Sequence, residues 1–140
     1  MQLDKIKEIV AINHQAVFTT FRRSGAAQMS IVTVGVLAKG GAFTISPGSA
    51  KLANLRRNPR CSLMVSLSDW RDYAVLEGRA PVLSHDATPA EELRLTLREV
   101  YRAGSGKEHP DWGKFDQAVR QDRRAAIIVV PEHIYYGSAE

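Results

Sequence analysis

Apolar residues recur along this chain at two periods, and the switches between them divide it into elements. From Leu3 to Ile12, Ile6, Ile9 and Val10 stand at helical spacing and predict a short amphipathic helix. Ala16 to Arg22 and Gln28 to Ala38 are rich in β-branched residues and are separated by "RSGAA". A tight turn at Lys39 to Gly41 leads into a third strand, Ala42 to Ser46, which completes a meander. After "SPGS", Ala50 to Asn58 reads as a short helix with Ser49 as its N-cap, Leu52 and Leu55 facing inward and Pro59 closing it.

The second half alternates in the same way. "CSLMVSL" puts Leu63, Val65 and Leu67 on one face of a strand, and Tyr73 to Leu83 makes a longer one with Gly78 at a bend or bulge. Thr88-Pro89-Ala90-Glu91 has the form of a capping box with proline in the first turn, and Leu93, Leu97, Val100 and Tyr101 share one helical face until Gly104. A further helix starts at Asp111, turns Trp112, Phe115 and Val119 inward and ends near Asp122; "AAIIVV" is then a buried strand that Pro131 ends. Short connections between mostly antiparallel strands predict a mainly β (α+β) fold, a small barrel or highly curved sheet with helices packed outside.

With 140 residues, 44% of them hydrophobic and 24% charged, the chain has room for one core, so residues 1–140 are expected to form a single domain. The lone Cys61 has no partner for an internal disulfide and opens an apolar run, where it reads as a small packed side chain. "MQLDKIKEIVAINH" lacks the apolar core of a signal peptide and no stretch reaches the length of a membrane span, so a reducing cytoplasm and no membrane partner are expected. The net charge of +4 is accompanied by acidic residues along most of the chain, which favours a small anionic ligand over nucleic acid.

Several chemical motifs fail on inspection. "AGSGKEH" lacks the first glycine of a phosphate loop and carries Glu108 where a hydroxyl for magnesium is required, so it reads as a loop between helices. His14, His85, His109 and His133 have no metal-ligand spacing, and no serine lies in a nucleophile elbow. The chain's own side chains advertise no covalent or metal chemistry, which leaves cofactor-dependent reaction or binding. Ser46-Pro47-Gly48-Ser49-Ala50-Lys51 stands apart. A strand running through a Ser/Gly turn into a helix leaves backbone N–H groups free at the positive helix end, and Lys51 adds a charge there. The same residues also suit a capped surface helix with a solvated lysine, and the helix dipole alone accounts for Arg56 and Arg57.

"TISPGSAKLANLRRNPRCSLMVS", preceded by "GAAQMSIVTVGVL" and followed by "DYAVLEGRAPVL", resembles the flavin-binding split-barrel family of the pyridoxamine phosphate oxidase type over nearly the whole chain. "SDW" at Ser68 to Trp70 and "VYRAGSGKEHPDWGKFDQAVRQDRRAAIIVVPEHIYYG" resemble, more narrowly, the branch that uses the deazaflavin coenzyme F420. The resemblance implies a six-stranded split β-barrel, a homodimer, and a cofactor phosphate held by Ser46, Ser49, Ala50 and Lys51. It places the ring system along Thr44, Ile45 and Ser46, and adds Gln28, Ser30, Asn54 and Arg57 to the cofactor pocket. Trp70 and Tyr73 would close that pocket from the partner subunit, although Trp70 suits equally a cover over the barrel's open edge.

The family's two second-strand cations and the arginine before its helix lysine fall here on Ser30, Gly35 and Ala50. That departure disfavours the doubly charged FMN phosphate, whereas a deazaflavin phosphodiester needs less charge at that point and would use a wider basic surface such as Arg56 and Arg57. Deazaflavin relatives often carry an arginine where Ser49 stands. The function so implied is F420-dependent hydride transfer to a conjugated or electron-poor organic acceptor, the alternatives being an FMN-dependent oxidase or reductase and a non-catalytic cofactor carrier.

Overall fold

A computed structural model describes residues 3–140 of the protein. Helix α1 (Asp4–Ile12) buries Ile6 and Val10, as its spacing predicts. Strands β1 (Gln15–Phe21), β2 (Ala27–Thr33), β3 (Gly35–Val36) and β4 (Gly41–Ile45) follow, then helix α2 (Ala50–Arg57) and strands β5 (Arg60–Ser66), β6 (Asp72–Arg79) and β7 (Val82–Leu83). Helices α3 (Ala90–Ser105) and α4 (Trp112–Gln121) precede the long last strand β8 (Ala125–Ser138). All pairings are antiparallel, in the order β2-β1-β5-β6-β8-β4-β3, with β7 also on β8.

The two ends of that order, β2 and β3, are consecutive pieces of one chain, so the sheet curls back on itself. The joint is Val34, whose N–H donates to the His14 carbonyl and whose carbonyl accepts from His14 Nδ1, both at 2.8 Å. The strand expected over Gln28 to Ala38 is therefore divided, its first part held by β1 and its second by β4. Gly35 is required at the bend because a Cβ there would collide with Ala103 of α3. The strand expected over Tyr73 to Leu83 is divided as well, at Ala80 and Pro81, and these two interruptions turn six expected strands into eight among the described residues. Pro131 does not end the last strand. The β6–β8 register shifts between Glu77 and Gly78, and the missing Cβ of Gly78 leaves space for the Val130 carbonyl and Pro131.

Phe18, Phe43, Leu63, Leu76 and Ile127 fill the inside of the curl, with Leu52 and Leu55 of α2 and Ile6 and Val10 of α1 packed against them. A second apolar layer, Leu93, Leu97 and Val100 of α3 against Ala42 and Ala126, lies on the outer face of the sheet. Phe115 and Val119 of α4 join this layer, but Trp112 lies outside it. Its indole sits instead under Arg98 and Arg102, at 5.2 and 4.6 Å, and beside Tyr101 and Phe115. Asp116 clamps α4 to α3 by accepting from Arg98 and Arg94. The capping box is not formed: Thr88 Oγ1 accepts from the Ser84 N–H, Pro89 occupies the N-cap, and the helix runs past Gly104 to stop at left-handed Gly106.

Candidate functional site

β4 delivers the chain into a turn in which the Ser49 N–H donates to the Ser46 carbonyl at 3.3 Å. Ser49 then has the extended backbone of an N-cap, and its Oγ accepts from the Leu52 N–H at 3.3 Å. Burial of Leu52 and Leu55 fixes the helix axis. Among the described residues, the first-turn N–H groups of Ala50 and Lys51 have no hydrogen-bond partner, as expected at a helix start. No acidic side chain lies in that turn, and half-buried Lys51 joins no salt bridge among the described residues. Ser46, Ser49, Ala50 and Lys51 thus come together as a positively polarised seat that offers backbone donors and one ammonium to an anion.

Three other candidates are brought together for a different task. The buried Asn54 side-chain amide donates to Thr20 Oγ1 at 3.1 Å and to Gln28 Oε1 at 2.7 Å. Its Oδ1 accepts from the Arg57 guanidinium, which also donates to the Phe21 carbonyl at 2.6 Å. Asn54, Gln28 and Arg57 therefore lash α2 to the β1–β2 hairpin. Arg57 is engaged there rather than free at the helix start, and Arg56 faces Asp86 at 3.8 Å.

The pleat separates the remaining candidates. Ser30 pairs with Phe18 and Gln28 with Thr20, both buried, so their side chains stand on the inner face at the barrel's mouth. Ile45 is a core residue and can offer a ligand only its backbone. Thr44 lies on the outer face, where its Oγ1 accepts from Arg124 at 2.7 Å and where, with Thr33, Tyr101 and Phe115, it lines a cleft of about 290 Å³. Gln28 and Ser30 thus do not share a face with Thr44. Trp70, with φ +59°, closes a turn by donating its N–H to the Leu67 carbonyl, and Tyr73 packs over Gly137. That turn lies beyond the far end of β5 from α2, roughly 20 Å along a seven-residue strand. Neither aromatic shares a hydrogen bond with Ser46, Ser49, Ala50 or Lys51 among the described residues.

Arg124 escaped the sequence reading. It is one of two arginines before a buried strand, and only the β4–β8 pairing carries it to Thr44. Cys61 is a packed side chain, and burial pushes its thiol up to about 12, which removes it as a nucleophile near neutral pH. No helix among the described residues is long and apolar enough to cross a membrane.

A family model described as pyridoxamine 5'-phosphate oxidase matches residues 3–137. Among solved structures, a conserved hypothetical protein of Mycobacterium tuberculosis is similar at 18% identity and a TM-score of 0.76, over 99% of this chain and 85% of that one. The heme storage protein of Vibrio cholerae is similar at 18% identity and a TM-score of 0.67, over 99% and 98% of the two chains. An F420 reductase is similar at 18% identity and a TM-score of 0.61, over 92% and 94%. These likenesses agree on a curled antiparallel sheet with peripheral helices and differ in what the proteins bind.

Proposed function

The chain belongs to the pyridoxamine 5'-phosphate oxidase family, and from that premise we propose that it is an oxidoreductase dependent on the deazaflavin coenzyme F420. The observation that carries this reading is the charge in the first turn of α2: the N–H groups of Ala50 and Lys51 and one cationic side chain, Lys51. A singly charged phosphodiester matches that set. The dianionic phosphate of FMN is better served by several cations, and the positions Ser30, Gly35 and Ala50 supply none. The similarity to an F420 reductase supports the same choice.

In this reading Lys51 and the α2 amides hold the phosphate, and Ser46 and the β4 edge support the ring. Arg124 holds the Thr44 hydroxyl in place. The bound reduced coenzyme supplies hydride from ring carbon C5 to an electron-poor organic acceptor, and the protein's part is to orient both and exclude water. Exclusion of water calls for a second copy. Met29 and Ile31 on the outer face of β2 are 66% and 60% exposed, an apolar strip that a homodimer would cover while bringing the partner's Trp70 and Tyr73 to the seat.

Fluorescence titration with F420 and with FMN tests the cofactor, the expected result being tighter binding of F420. Stoichiometric FMN held at sub-micromolar affinity would reverse it. Sedimentation should give twice the 15.5 kDa chain mass, and a monomer at micromolar concentration would refute the dimer.

A further inference from the structure

At the other end of α2 a second cationic feature forms from residues that are far apart in sequence. The β1–β2 turn, which runs through Gly25 at φ +89°, presents Arg22 and Arg23. Arg57 from the end of α2 and Arg60 from the start of β5 meet them, and with Phe21 and Asn58 they line an open cleft of about 560 Å³. None of these four arginines pairs with a carboxylate among the described residues. Arg56, Arg79, Arg94, Arg98, Arg102 and Arg123 each have an acidic partner, and Arg71, Arg120 and Arg124, which have none among the described residues, are not part of this cleft.

Two of the four are held in place. Arg57 is fixed by the Phe21 carbonyl and Asn54, and the Arg60 guanidinium lies 6.0 Å from the Phe21 ring centre. In the β5–β6 register Arg60 also stands directly opposite Arg79, a like-charge pairing that costs stability. The helix dipole favours a cation at the end of α2 and so accounts for Arg57, but it gives no reason for Arg22, Arg23 and Arg60. Uncompensated guanidiniums converging from three elements on one cleft match a ligand with several anionic groups, each open to bidentate hydrogen bonding.

We infer that this cleft is a second anion-binding site, which takes a short chain of adjacent anionic groups, phosphate or carboxylate. It stands apart from the Lys51 seat by the eight-residue length of α2, about 12 Å, and it does not depend on which coenzyme the seat takes.

Calorimetric titrations at low salt with inorganic tripolyphosphate and with citrate, a tricarboxylate, test it, and the tighter of the two identifies the kind of anionic group the cleft takes. Arg23→Ala/Arg60→Ala removes two exposed side chains that make no ion pair and leaves Arg57, so the variant should still unfold cooperatively, with a melting temperature within a few degrees of the parent's. Its affinity for the preferred probe should fall about tenfold or more. Arg23→Lys/Arg60→Lys should lie between, because it keeps charge and loses the fork geometry. Lys51→Ala, which disables the seat, should still show the binding step that the Arg23 and Arg60 variants weaken. The inference is overturned if the double alanine variant binds like the parent, or if orthophosphate binds as tightly as tripolyphosphate. Loss of probe binding in Lys51→Ala would move the ligand to the helix start, and tighter binding of a short duplex DNA that fails in the same arginine variants would make the surface one for nucleic acid; either overturns it.

Discussion

The two ends of α2 solve opposite electrostatic problems. Its start combines a capped turn, free N–H groups and one lysine, so that backbone polarity supplies much of the attraction. Its end carries the negative pole of the dipole, yet four arginines gather there and only Arg57 is explained by the helix. A seat built from backbone takes an anion of fixed size at a fixed place, whereas a cleft built from exposed guanidiniums suits an extended anionic chain. The Asn54 network joins the two ends, because it fixes both the tilt of α2 and the orientation of Arg57.

The largest effect expected from breaking this contrast is at Lys51. Lys51→Ala removes a charge-assisted contact of about 1.5 to 3 kcal/mol, a loss of roughly ten- to more than hundredfold in coenzyme affinity. Folding should be nearly unchanged, and Arg56→Ala should cost less than about 1 kcal/mol of coenzyme binding because its charge is exposed and already faces Asp86. Calorimetry on the two variants checks the difference. Asn54→Ala should blur both ends at once. It leaves the buried Thr20 hydroxyl and the half-buried Gln28 amide short of a partner, for a stability loss of about 1 to 3 kcal/mol in denaturant unfolding.

The smallest effect belongs to a pair outside α2. The hydrogen bond from Arg98, with Arg94 beside it, holds the Asp116 carboxyl below the usual carboxylate range. A depressed folded-state value means that its contribution is complete above the unfolded value, near 3.9, and is lost as pH falls through the folded one. Asp116→Asn should therefore lower stability at pH 7 by under about 1 kcal/mol, and the gap to the parent should close below about pH 4. Equal gaps at pH 7 and pH 3 in urea unfolding would show that the clamp is not ionic. Neither end of α2 should respond.

Local pattern determined a good deal about this protein. The apolar periods of α1, α2, β5 and α3, the Ser49 cap and the free N–H groups at the start of α2 were legible because each depends on residues within a few positions of one another. Gly78 likewise announced the irregularity that β6 shows. The capping box at Thr88 was misleading, since a loop hydrogen bond to Ser84 took its hydroxyl.

Everything that depends on which surfaces meet was settled by tertiary structure. The divided strand at Val34 needs His14 and the approach of α3 to Gly35, and the continuation through Pro131 needs the missing Cβ of Gly78 on a neighbouring strand. Strand pleat put Gln28 and Ser30 on one face and Thr44 on the other, although all three lie close in sequence. Arg124 found Thr44 across 80 positions, and Arg22 and Arg23 met Arg57 and Arg60 across more than 30. A sequence records the period and polarity of each segment, because these act through near neighbours. The convergence of charges from separate segments follows only from strand register and helix placement, which the core decides.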